Sequence, residues 1–243
     1  MHFFTSRTAS ITLIFVVLPA IAMAAESACQ VRTGERITPV IELYTSEGCS
    51  SCPPADQWLS TLKGQPVVAQ AFHVGYWNYI GWVDRFASPS HTTRQRQIAA
   101  INGLPNIYTP QIVRNGQDWR DTARALTASA EPARASITLQ STSEAHQFEA
   151  RITPAQGLGP WAAYWTVTEH GHSSRVSAGE NKGENLKHDF VVRQYTPVGN
   201  YEGSQTLKFS AIASNLQNPR QINLVIAEPK SGKTLQAVSL SCG

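Results

Sequence analysis

"YTSEGCSSCPPAD", residues 44–56, sets Cys49 and Cys52 three apart directly after the apolar run "VIELY". The run reads as a buried strand. The residues after the second cysteine read as a helix, because Ala55, Trp58, Leu59 and Leu62 recur at helical spacing and Gly64 supplies a stop. Pro53 and Pro54 fit its first turn, where amide hydrogens have no intrahelical partner. A CxxC that opens a helix can carry electrons, hold a metal or staple a loop. The first use has a physical basis: the attacking species is the thiolate, and the free N–H groups and positive dipole end of a helix stabilise that anion. On this reading Cys49 attacks, and Cys52, one turn deeper, resolves the mixed disulfide.

Working outward, "PVVAQAFHV" is a second strand, and it leads into an aromatic insertion, "GYWNYIGWVDRFA". Ser88 and Pro89 look like the N-cap and first turn of a helix running to about Asn102 and closed by Gly103. "TPQIVRNG" is a third strand entering an Asn-Gly turn, and "DWRDTARALTASA" reads as a helix. Strand and helix alternate three times, which argues for an α/β domain with a mixed sheet. Beyond Ala135 the character changes to seven short apolar runs separated by turn residues: "SITLQ", "QFEARI", "AAYWTVTE", "HDFVVRQY", "TLKFSAI", "INLVIAE" and "LQAVSL". That pattern suggests an all-β sandwich. The expected organisation is an α/β domain over residues 26–132 and a β-sandwich-like domain over 133–243.

Residues 1–25 read as a signal peptide. Arg7 precedes the apolar stretch "ITLIFVVLPAIAMA", which is short for a membrane span and ends in the small-x-small pattern Ala22-Met23-Ala24. An uncleaved anchor is the alternative. No later segment approaches the ~20 apolar residues of a spanning helix, so no membrane span is expected after cleavage and the localisation is periplasmic or secreted. About 219 residues then remain, enough for one large domain or two small ones. The formal charge of +3 is spread along the chain without a basic run, which argues against nucleic acid as a partner. All four cysteines lie in the mature part, where disulfides persist. Cys49 and Cys52 are close enough to pair locally, and by elimination Cys29 is left with Cys242 as a structural disulfide.

"YTSEGCSSC" resembles the active-site segment of glutaredoxins, and "YTPQIVRNG" resembles the segment that holds the cis-proline of thioredoxin-fold proteins. More closely, "ELYTSEGCSSCPPAD", "FHVGYWNYIGWVDRFASP", "YTPQIV" and "GENKGENLKHDFVVR" are similar to a secreted bacterial family of unknown function with a thioredoxin-like fold. The resemblance implies a thioredoxin-like first domain in which Pro110 is the cis-proline and the backbone of Thr109 pairs with an extended substrate beside the sulfurs. The chain departs from the family pattern at Gly75 and Asn78, where Asp is expected.

Rival readings attach to the same residues. A closed zinc site wants four ligands, usually as two spaced pairs, and only one CxxC is present. His73 could join Cys49 and Cys52, but a His on an apolar strand is more often a packing residue, so no metal and no cofactor are expected. Glu42 is a possible proton relay to the resolving cysteine; the bland alternative is pairing with a nearby Arg. Glu47 is expected to be solvated, and His170 and His172 to lie on the surface. Tyr76, Trp77, Tyr79, Trp82 and Phe86 either form a lid or groove beside the CxxC for a peptide substrate or cover the interface with the β domain. The function expected is thiol-disulfide exchange with protein or small-molecule thiols, recycled by an unknown redox partner. The alternative is a non-catalytic binding protein in which the CxxC is a permanent staple, and the residues leave open whether the protein is an enzyme.

Overall fold

The computed structural model describes residues 1–3, 29–127 and 131–242. Beyond its first three residues, the expected signal segment lies outside the described residues.

Strands β2 (Val40–Thr45) and β3 (Val68–His73) are parallel neighbours, in register from Val40↔Val68 to Thr45↔His73. They are joined by helix α1 (Pro53–Ser60), the crossover that a parallel pair requires. Every residue of both strands is buried, because both faces of the pair are covered. Alternation along each strand divides the faces. Ile41, Leu43, Ala69 and Ala71 pack with Leu59 and Leu62 on the α1 side. Tyr44 and Phe72 meet Ile98 of helix α2 (Pro89–Ile101) on the other. Ser88 caps α2 by accepting from the Ser90 N–H.

Strand β4 (Gln111–Arg114) runs antiparallel to β2, then turns through Asn115 (φ 50°) and Gly116 (φ 83°) into β5 (Gln117–Asp118). This is the left-handed turn an Asn-Gly pair favours. Gly116 has a second reason to be glycine, since a Cβ there would stand 2.1 Å from the Gly232 carbonyl oxygen.

All seven apolar runs of the second half form strands: β6 (Ala135–Ser141), β7 (Gln147–Pro154), β8 (Trp161–Glu169), β11 (Val191–Tyr201), β12 (Gln205–Ser210), β13 (Arg220–Ala227) and β14 (Thr234–Leu240). A short hairpin, β9 (His172–Arg175) with β10 (Asn185–His188), precedes β11.

The expected α/β thioredoxin-like domain followed by an all-β sandwich-like domain is overturned by how these strands pair. The molecule is mostly β, with fourteen strands against two α-helices among the described residues. One eight-stranded sheet runs β14-β13-β8-β11-β3-β2-β4-β5, so strands from both halves share it. The junction is parallel pairing of Val191 with Ala71, sealed by the Ala71 N–H donating to the Phe190 carbonyl at 2.8 Å. In the opposite direction, β1 (Gln30–Arg32) leaves the first half to pair with β6 in a four-stranded sheet, β1-β6-β7-β12. Between that sheet and the β8, β13 and β14 part of the large one lies the main apolar core, including Ile137, Ile152, Trp161, Trp165 and Leu224. The physical reason for the departure is that the free edge of β3 had to be covered, and the covering strand comes from more than a hundred residues away.

The helix expected at "DWRDTARALTASA" is absent as far as Thr127; Ala128–Ala130 lie outside the described residues. A 3-10 turn at Thr122–Arg124 stands in its place. The backbone is tied to the sheet instead, with the Trp119 N–H donating to Ile112 O (2.8 Å) and the Arg114 guanidinium donating to Ala125 O (2.7 Å).

Candidate functional site

Both pairs of cysteines are disulfides: Cys49 with Cys52 (Cα–Cα 5.4 Å) and Cys29 with Cys242 (Cα–Cα 5.8 Å). The second ties β1's entry to the residues after β14.

The chain leaves β2 at Thr45, turns through Ser46–Gly48 and reaches Cys49; Cys52 is the N-cap residue of α1. The Cys52 carbonyl accepts from the N–H groups of Ala55 (2.9 Å) and Asp56 (3.1 Å), which starts the helix. Cys49 is 1 % exposed and Cys52 is fully buried, while Ser50 and Ser51 between them are exposed. Two segments make the cover. Trp77 lies against Gly48, where an added Cβ would come within 2.9 Å of the Trp77 Cβ. From the loop before β10, the Asn181 amide donates to the carbonyls of Glu47 (2.9 Å) and Cys49 (3.0 Å), and a Glu180 oxygen accepts from the Ser50 N–H at 3.1 Å.

Thr109-Pro110 is a cis peptide. Its Thr109 hydroxyl accepts from the Trp77 indole N–H at 2.8 Å, so the structure brings Trp77 to Thr109 and to the CxxC turn together. Trp82 donates to Glu47 Oε2 at 2.7 Å. Tyr76 is partly buried and packs against the Tyr44, Phe72 and Ile98 cluster. Glu42 stands apart from all of these on the α2 side of β2. Arg94 grips it through Nε (2.8 Å) and Nη2 (2.5 Å), and the Tyr44 and Tyr164 hydroxyls donate to it at 2.7 and 2.9 Å. Burial raises the Glu42 carboxyl, but the Arg94 charge and these hydrogen bonds together hold it below the ordinary carboxylate value.

Beneath the CxxC turn lies a group of ionisable side chains that sequence reasoning did not assemble: Glu47, Asp56, His73, Asp84 and His188, all buried. The expectation of a solvated Glu47 is corrected, since its side chain is fully enclosed. His73 Nδ1 lies 2.7 Å from Asp84 Oδ2, which also accepts from the Glu47 N–H at 2.9 Å. His188 Nε2 lies 3.2 Å from Glu47 Oε1, and its Nδ1 faces Asp56 Oδ1 at 3.9 Å. Thr45 donates to the other Asp56 oxygen at 2.8 Å. Burial alone would lower the His188 pKa, yet the flanking Asp56 and Glu47 carboxylates push it up to about 9. Burial raises the Glu47 and Asp84 carboxyls, and both nonetheless sit below the ordinary value, Glu47 chiefly through His188 and Asp84 through His73.

Two signals for this cluster were present. His73 ends a mostly apolar strand, and Asp56 lies one helical turn after Cys52. Nothing in the spacing of His188 pointed to it. His170 and His172 also differ from the surface reading: both are partly buried, with His172 Nε2 2.9 Å from Glu169 Oε2 and His170 Nδ1 3.5 Å from Asp189 Oδ1.

No helix among the described residues is long and apolar enough to cross a membrane. No curated protein matches the chain. Among solved structures, the chain is similar to protein AGR_C_4864 from Agrobacterium tumefaciens, with 27% identity and a TM-score of 0.65 over 86% of this chain and 96% of that one. It is also similar in fold to HBP35 of Porphyromonas gingivalis, with 13% identity and a TM-score of 0.63 over 86% of this chain and 76% of that one. A model of the family described as "Protein of unknown function (DUF1223)" matches residues 40–227, most of the sequence, and the chain belongs to that family.

Proposed function

We propose that the protein is a thiol-disulfide oxidoreductase of the periplasm or the extracellular space, acting through Cys49 and Cys52. The observation that carries this reading is the buried group of carboxylates and imidazoles packed beneath the CxxC turn. Burying charge costs free energy, so a loop that needed only a staple is better served by apolar residues of the same volume.

In the reduced protein the Cys49 thiolate attacks a substrate disulfide. One new S–S bond forms, and the first substrate sulfur leaves as a thiol after taking a proton. The Cys52 thiolate then attacks Cys49 Sγ, closing the intramolecular disulfide and releasing the second substrate sulfur. One substrate disulfide becomes two thiols while two protein thiols become one disulfide; the reverse sequence oxidises the substrate. The substrate is a protein or small thiol that approaches the sulfurs along Thr109-Pro110 and Trp77, and a separate redox partner resets the pair. The leader-like N-terminus and two disulfides support a location outside the cytoplasm.

A second reading is favoured by one observation: Cys49 is only 1 % exposed. A binding protein with the CxxC as a permanent staple needs no more. Redox equilibration against graded dithiol buffers, with alkylation and mass spectrometry of each cysteine, separates the two. Titration of Cys49-Cys52 alone within roughly −120 to −270 mV is the expected result for exchange. Resistance of both pairs to below about −300 mV makes the CxxC a staple. In the exchange case the C52S variant accumulates mixed disulfides with substrate, and C49S accumulates none.

A further inference from the structure

We propose that Asp56, His73 and His188 form a site for one divalent transition-metal ion, with zinc the ion best matched to the donor set. One ligand atom from each of these three residues lies within 4.8 Å of the other two, and all three residues are buried. The spacing of the cysteines argued against a metal held by sulfur; both sulfurs are closed in a disulfide, and the donors here are nitrogen and oxygen.

Two features distinguish this group from a chance cluster. First, it holds orphaned donor atoms in a place where they are costly. His73 Nε2 and both His188 ring nitrogens have no hydrogen-bond partner, although His73 is fully buried and His188 is 3 % exposed; the carboxylates facing His188 stand at 3.2 Å (Glu47 Oε1) and 3.9 Å (Asp56 Oδ1). A buried ring nitrogen without a hydrogen-bond partner gives up the hydrogen bond it would make to water. An ion between the two rings, whose centroids stand 4.9 Å apart, would satisfy His73 Nε2 and His188 Nδ1.

Second, His73 and Asp56 are each hydrogen-bonded from behind, and His188 has a carboxylate facing its far nitrogen. Asp84 grips His73 at Nδ1, which leaves the Nε2 lone pair free to bind. Glu47 approaches His188 at Nε2 and leaves Nδ1 directed toward Asp56. Thr45 occupies Asp56 Oδ2 and leaves Oδ1 open on the His188 side. A carboxylate behind an imidazole orients the ring and raises its basicity, and a hydrogen bond behind a carboxylate fixes its orientation, which is the outer arrangement of metal ligands. Two imidazoles and a carboxylate suit zinc and neighbouring divalent ions, and three protein ligands leave a fourth position for water or substrate. At Zn–N distances of about 2.0–2.1 Å, tetrahedral ligand atoms stand roughly 3.4 Å apart, so binding draws the three side chains inward by about an ångström. Asp56 and His188 also line the groove that runs past Ser50, Pro53 and Asn181, which gives an ion a route in.

The test uses untagged full-length protein, stripped with chelator, with both disulfides closed so that no thiolate binds metal. Its outcome therefore stands apart from whether the CxxC exchanges thiols. Zinc is titrated calorimetrically, and histidine side-chain nitrogens are followed by 15N NMR. The proposal expects one ion per chain at micromolar affinity or tighter, with His73 Nε2 and His188 Nδ1 shifting on addition. Replacing a ligand (H73Q) weakens binding by at least about 100-fold, and replacing the residue behind it (D84N) by about 10- to 100-fold. Absence of stoichiometric binding to the wild type, or binding that leaves those two nitrogens unshifted, overturns it. The NMR result on the wild type decides the matter even where a variant does not fold.

Discussion

At the scale of single residues, Glu42 within β2 and Glu47 just beyond it, both buried, have different settings. Glu42 is a closed ion pair: Arg94 is bidentate to it, and two tyrosine hydroxyls use its remaining lone pairs. Removing one partner of such a pair leaves the other charge buried and alone, so E42Q is expected to lose about 3–5 kcal/mol of stability in urea unfolding. The same contacts set a pH dependence. Because the Glu42 pKa is lower folded than unfolded, its contribution is fully present above the unfolded value near 4.5 and fades as pH falls through the folded value. The wild type is therefore expected to lose part of its stability on acidification below about pH 4.5, and E42Q to show a flatter acid limb. A wild-type acid limb unchanged in E42Q contradicts that assignment. The pairing of Glu42 with an arginine was one of two readings open in the sequence. Glu47 was not legible, because its burial depends on Trp82 and His188, which reach it from 35 and 141 residues away.

At the scale of elements, α1 and the β2–β3 pair were readable from pattern alone: helical spacing after Pro53, continuous apolar runs before and after, and an Asn-Gly turn beyond β4. The cover over the disulfide was not. It is built by Trp77 from the aromatic insertion and Asn181 from the loop ahead of β10. The Asn181 amide donates to the carbonyls of Glu47 and Cys49, so N181A removes both bonds at one stroke. Losing about 1 kcal/mol of local stability corresponds to roughly a fivefold gain in the opening equilibrium. Reduction of Cys49-Cys52 by dithiothreitol, with alkylation of the freed thiols, is expected to quicken by about that factor while Cys29-Cys242 is unaffected. Equal rates in wild type and N181A would show that the loop does not limit access.

At the scale of the whole molecule, the two halves complete each other's sheets. Residues 29–132 alone would leave β3 without β11 on its open edge and β1 without β6. An exposed, apolar strand edge is an aggregation template. That fragment is expected to give no cooperative thermal transition by circular dichroism and to elute as aggregate; a monomer with a sharp transition would mean that the shared sheet is not required for folding. The Cys29-Cys242 bridge fastens this arrangement across 213 residues of sequence. The residues by themselves determined local features: the ten longer strands but not the short β1, β5, β9 and β10, where α1 and α2 begin, the Asn-Gly turn, and the pairing of four cysteines by proximity and elimination. Local periodicity and capping encode most of those features within a few residues of one another. Only the tertiary structure decided which strand covers which edge, that the molecule is mostly β with one continuous sheet, and that Asp56, His73 and His188 converge under the disulfide. Edges and ligand sets are made by segments far apart in the chain, and the apolar pattern of a strand says that it is buried without saying against what.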